Sequence, residues 1–140
     1  MGEKLFTLEE ANALVPRLEL LMERLQREGM RLREHVEAVA RATGRPPESV
    51  GAAELARMRP EARPVLEAMQ RLVGDLEACG GQFKGLELGL VDFPANVDGE
   101  RVLLCWQYGE KEIAYYHASD AGFAGRKPLP SVVRRETPLQ

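Results

Sequence analysis

Asp92, Cys105, Glu110, His117 and Asp120 bring carboxylates, a thiol and an imidazole into one segment, Gly85 to Arg126, which also holds the only Trp and all three Tyr of the chain. These are the ligand types of zinc and other borderline transition ions, so metal coordination is the first chemistry to consider. A histidine at a strand end can meet an acid three positions on as the chain turns, which makes His117 with Asp120 the candidate set for a divalent metal. The plainer role for His117 is to cap an apolar face through a hydrogen bond to Asp120 or a backbone carbonyl. Thiol catalysis is a second chemistry, and it needs Cys105 beside an imidazole. Anion binding is a third: backbone amides near Gly122 and Gly125 can form a nest with Arg126 supplying charge, or the loop is a turn with Arg126 ion-paired to Glu110 or Asp92. No serine elbow, GxxxxGK[ST] or GxGxxG occurs in the chain, so the best-marked hydrolase and nucleotide signatures are absent.

Strands must position these groups. Asp98-Gly99 is a two-residue hairpin signal, and the register it implies sets Phe93 opposite Leu104 and Asp92 opposite Cys105. The next turn, around Gly109 to Glu112, fits a two- or four-residue loop, which sets His117 opposite Leu104 and Tyr116 opposite Cys105. One face of the resulting three-stranded meander carries Val91, Phe93, Val102, Leu104, Trp106, Tyr115 and His117, and covers the helices. Asp92, Cys105 and Tyr116 share the other, wetter face and form the candidate ligand-binding set, with Glu110 or Arg126 completing it from a second chain. His117 then lies across the sheet from the thiol, and one ion can join His117, Cys105 and Asp92 only if the second turn has an odd loop length. Asp92 beside Cys105 would raise the thiol pKa. Glu110 sits roughly 20 Å of extended strand from His117, too far to share an ion. Trp106 and Tyr115 belong to the core, which leaves no aromatic platform for stacking bases.

Helices precede the strands. Thr7 and Glu10 form a capping box with Phe6 packing on Ala11, so a short helix starts at Leu8; Pro16 breaks it near Leu14 and opens a long one. Leu18, Leu21, Leu25, Leu32, Val36 and Val39 make one apolar stripe along that helix up to Thr43, ended by Gly44. Its length leaves part of the stripe in search of a partner. Arg45 to Arg63 reads as a connection with a short helix near Ala52 to Met58, and Pro64 to about Ala78 as a second helix, antiparallel to the first and stopped by Gly80-Gly81. His35, between charged neighbours, faces solvent.

The chain's 140 residues suit one domain, and 44% hydrophobic and 29% charged residues are ordinary globular values. A net charge of -3 gives no field for a polyanion, so nucleic acid is not an expected partner. No apolar run approaches the roughly 20 residues of a spanning helix. Met1 to Thr7 lacks the cationic-then-apolar layout of a secretory leader, so a cytoplasmic location is expected. Cys79 and Cys105 lie 26 positions apart without CxxC spacing, and read as reduced, packed thiols.

The stretches FTLEEANALVPRL, GLVDFPA, LCWQYGE, EIAYYH and AGFAGRKPLP together resemble the bacterial domain-of-unknown-function family 2203. The resemblance implies no activity, substrate or cofactor; the residues it brings forward are Asp92, Phe93, Cys105, Trp106, Glu110, His117, Phe123 and Arg126.

The expected architecture is α+β: an N-terminal antiparallel helical pair with a short leading helix, spanning about 8–80, packed on a three-stranded antiparallel β-meander over about 85–118. A Gly-rich loop follows at 119–126, closing a domain of 1–126, and 127–140 is a tail or arm. The leading functional expectation is a non-enzymatic assembly module, self-associating as a homodimer through the long helix. The competing one is a small-ligand or metal-binding protein, extending to a metal-dependent enzyme, that uses the polar residues of the meander.

Overall fold

Thr7 accepts a hydrogen bond from the Glu10 amide while the Glu10 carboxylate accepts from the Thr7 amide, and this reciprocal cap starts helix α1, Leu8–Ala13. The computed structural model describes residues 3–130, so positions 1–2 and 131–140 lie outside the described residues. Pro16 sits in the first turn of the second helix, α2, Val15–Thr43, where its missing amide costs nothing. Gly44 ends α2 with a left-handed φ of 72°, a conformation that favours glycine. Helix α3 spans Ala52–Met58 and helix α4 spans Arg63–Ala78, within a residue or two of the expected bounds.

Among the described residues the helical layer has four α-helices, the pair and its leader together with the expected short helix α3, and α3 changes how α2 is covered. At 29 residues, α2 is about 43 Å long. Its first half buries Leu18, Leu21, Met22 and Leu25 in the main core with Leu76 of α4 and the sheet. Its second half packs Val39, with Leu32 and Val36 partly covered, against Leu55 of α3, Ala62, and Leu66 of α4. The stripe that the sequence leaves in search of a partner is therefore met inside the chain, by α3 and the turn between α3 and α4. His35 is half-buried here rather than solvent-facing, and its Nδ1 accepts from Arg59 Nε at 3.2 Å.

Five strands, not three, form the antiparallel sheet, in the order β1 (Gln82–Gly85), β2 (Leu90–Val97), β3 (Glu100–Gln107), β4 (Tyr115–His117) and β5 (Lys127–Pro128). Both added strands are short edges. β1 pairs with β2 before the expected start of the meander, and β5 pairs with β4 where a tail was expected to begin. Leu129, just past β5, is 3% exposed and packs in the main core. Two prolines and a charged run hide such an edge from pattern reading, because its burial comes from one residue. Among the described residues, no helix is long and apolar enough to cross a membrane.

The Asp98-Gly99 hairpin takes positive φ at both turn residues, 53° and 82°, and pairs Phe93 with Leu104 and Asp92 with Cys105 as expected. The next pairing is one residue out of step with expectation. Leu104 faces Tyr116, and Cys105 faces Tyr115. The reason lies in residues 108–114, which form no hairpin: the Ile113 amide donates to Asn12 Oδ1 of α1 at 2.7 Å, and the Ala114 carbonyl accepts from the Leu129 amide at 2.8 Å. Ile113 is fully buried, so the chain detours into the core before β4 begins.

If α3 serves to cover the far end of α2, truncating its buried anchor opens a cavity there. Leu55→Ala should cost about 2–5 kcal/mol, read as a lower midpoint in chemical denaturation. Hydrogen exchange should speed first at the C-terminal half of α2, and unchanged protection there would separate α3 from the stability of α2.

Candidate metal centre

One residue of register exchanges the faces of β4. Tyr116 turns to the main core, where it is partly buried, and leaves the ligand-binding set predicted for it. Tyr115 and His117 take the other face with Leu90, Asp92, Leu103 and Cys105. That face is not wet. Asp92 is 2% exposed, Cys105 1% and His117 3%, under a loop whose Ser119, Gly122 and Phe123 line a cavity of about 240 Å³ with Lys84, Leu90 and the three buried groups.

Asp92, Cys105 and His117 come from three adjacent strands, and each offers a ligand atom within 4.8 Å of the other two. His117 Nδ1 lies 2.8 Å from the Ala118 carbonyl. A carbonyl only accepts, so Nδ1 carries a hydrogen. Nε2 in turn lies 3.0 Å from Asp92 Oδ2, a contact that either a proton between the two atoms or a cation satisfies. Asp92 Oδ1 is buried and has no hydrogen-bond partner. The paired metal ligand expected for His117 was Asp120, but Asp120 is exposed at the following turn and outside this cluster. The chain turns away from the buried face before reaching it.

Glu110 and Arg126 form a separate clamp within the same chain. Arg126 Nη2 lies 2.7 and 2.8 Å from the two Glu110 carboxylate oxygens and 3.2 Å from the Cys105 carbonyl. Its guanidinium stacks over Tyr115 at 4.2 Å and Phe123 at 5.0 Å. Glu110 also accepts from the Gln107 amide, and its carbonyl accepts from Trp106 Nε1. The turn after β3, the loop before β5 and the backbone of Cys105 are thus joined through one ion pair, and the Arg126 guanidinium is committed to Glu110 rather than to an anion nest. Its Nε is buried without a partner.

Among families of known proteins, the one described as "Uncharacterized conserved protein (DUF2203)" matches residues 4–129. The chain belongs to this family. The family's match spans the capping box, all three residues of the cluster, both residues of the clamp, and β5 as far as Leu129. Against curated proteins and solved structures, the chain finds no match. The family description carries no activity, so the chemistry must be read from the site itself.

Two members of the site escape sequence reasoning. Tyr115 was assigned to the core because the register was one residue off, and Lys84 belongs to β1, a strand with no alternation to reveal it. The signal that could have corrected the register is His117 itself: a histidine on an otherwise apolar face lacks a partner, and an odd loop gives it one.

The Cys105 thiol is pushed up to about 12, first by burial and then by the Asp92 carboxylate, with Arg126 acting in the opposite direction. A thiol so disfavoured as thiolate is a poor nucleophile. In metal-free protein at pH 8, alkylation by iodoacetamide should therefore label half-buried Cys79 and spare Cys105 until denaturant is added; rapid labelling of Cys105 would contradict its burial. The raised value also sets a pH dependence. Its contribution to stability is fully present below the unfolded thiol value near 9 and is lost as pH rises toward about 12. Denaturation midpoints should fall across that window, less steeply in Cys105→Ala.

Proposed function

We propose that this protein binds a zinc-class divalent ion through Asp92, Cys105 and His117, leaving one coordination position open to the adjoining cavity. The observation that carries this reading is the convergence of a carboxylate, an imidazole and a thiol, all buried and with ligand atoms within 4.8 Å of one another, beside a second, partnerless Asp92 oxygen. A structural hydrogen bond with a shared proton accounts for the Nε2 contact alone. A cation accounts for the convergence of carboxylate, imidazole and thiol together.

The donor set supports the choice of ion. Sulfur and imidazole disfavour magnesium and calcium, which take oxygen ligands, whereas thiolate, imidazole and carboxylate suit zinc. Tetrahedral zinc with bonds of about 2.0–2.3 Å holds its ligands roughly 3.3–3.6 Å apart. The 3.0 Å contact is close to that edge, and the 4.8 Å limit on the cluster asks for closure of about 1.5 Å at most. The Nδ1 hydrogen bond to the Ala118 carbonyl is the outer support typical of a metal-bound imidazole. Three protein ligands with an open position characterise catalytic rather than structural zinc sites. Metal would also resolve the high thiol pKa, since a coordinating thiol gives up its proton.

Protein prepared without an affinity tag, stripped with chelator and reconstituted should retain about one zinc per chain by elemental analysis after gel filtration. Zinc at 100 times its dissociation constant should stabilise the fold by about 2.7 kcal/mol, a rise of several degrees in the melting temperature. His117→Gln and Cys105→Ser, checked for folding by circular dichroism, should each lose the retained zinc. Folded wild-type protein that keeps none overturns the proposal.

A further inference from the structure

We infer that the cavity beside the cluster takes a small carboxylate, bound between the ion's open position and Lys84; this rests on the metal reading above. The charge arithmetic comes first. A divalent ion held by the Asp92 carboxylate, a Cys105 thiolate and neutral His117 is neutral as a unit, because two anionic ligands cancel two positive charges. The remaining ionisable group lining the cavity is Lys84, which has no ion-pair partner among the described residues. Arg101, which donates to cavity-lining Ser119, is already paired with Glu3, and Arg126 is paired with Glu110. One uncompensated positive charge therefore faces the pocket, and the ligand that balances it is a monoanion.

Size and lining narrow the class. The cavity volume of about 240 Å³ corresponds to roughly eight waters at about 30 Å³ each, enough for a carboxylate with a short apolar remainder. Leu90 and Phe123 supply apolar wall, and Ser119 a hydroxyl near the rim. Carboxylate oxygen is a normal fourth ligand for zinc. Phosphate fits less well, because a dianion would leave the pocket negative with Lys84 as the one cationic side chain lining it among the described residues. Lys84 is exposed, so it contributes as a mobile charge at the mouth rather than as a fixed ligand.

Cobalt(II) reports both steps in one sample. Cobalt-loaded protein should show a thiolate-to-cobalt charge-transfer band, and titration with acetate or benzoate should then shift its visible ligand-field bands in a saturable way, whereas acetamide and benzamide should not. Lys84→Met should leave cobalt loading unchanged and weaken carboxylate binding about three- to fivefold, the magnitude of an exposed ion pair. A normal charge-transfer band with no carboxylate-dependent shift overturns the ligand assignment and leaves the metal site standing. An equal affinity in Lys84→Met overturns it as well, since the charge argument then fails. Folded protein with no cobalt band removes the metal site and this inference together.

Discussion

In a pleated sheet, the face a side chain takes is set by register alone, and register between neighbouring strands is set by the connection that joins them. For β2 and β3 that connection is two residues long and encodes itself. For β3 and β4 it is settled elsewhere: by the Asn12 side chain holding the Ile113 amide, by the Leu129 amide on the Ala114 carbonyl, and by Arg126 gripping Glu110 at the turn. These three ties decide that His117 joins Asp92 and Cys105 rather than the core. The whole polar cluster depends on that one-residue choice.

The Glu110–Arg126 clamp is well placed to enforce it. Both partners are largely covered, with side-chain exposures of 23% and 13%, so neither charge can be left alone without a large cost. Arg126 also donates to the Cys105 carbonyl and stacks on Tyr115, the residue opposite Cys105. The same guanidinium thus locks the turn, fixes the loop leading to β5 and fastens the β3–β4 register at the level of the cluster. It further opposes the field of Asp92 at the thiol, which couples the clamp to the cluster electrostatically as well as through the backbone.

Local rules made much of this legible before the structure. The capping box at Thr7, the Pro16 break, the Gly44 stop and the Asp98-Gly99 turn each involve residues close in sequence, and each forms as its chemistry requires. The Glu110–Arg126 ion pair was among the readings of the loop and is present. What stayed hidden depends on contacts distant in sequence. Asn12 lies 101 positions from Ile113, so no pattern within the meander reveals the detour that shifts β4. Edge strands β1 and β5 are too short to show alternation. Tyr115 and Tyr116 are the sharpest case, because adjacent identical residues give periodicity nothing to distinguish, and the structure exchanges the sheet faces expected for them.

The two faces of the sheet are buried by different means, and the difference bears on why the cluster exists. Helices α1, α2 and α4 cover one face with a broad apolar core led by Trp106, Phe93 and Leu18. The other is covered by a short loop around Gly122 and Phe123, which brings little apolar area with it. Burying a carboxylate, an imidazole and a thiol under such a cover costs desolvation that the two hydrogen bonds of the His117 ring offset only in part. Apolar residues of similar volume at positions 92, 105 and 117 would close the same face with no orphaned carboxylate oxygen, as Leu90 and Leu103 beside them already do at 7% and 2% exposure. Stability therefore does not account for the polar choice at these three positions. The proposed ion, which needs a carboxylate, a thiol and an imidazole on one side, would.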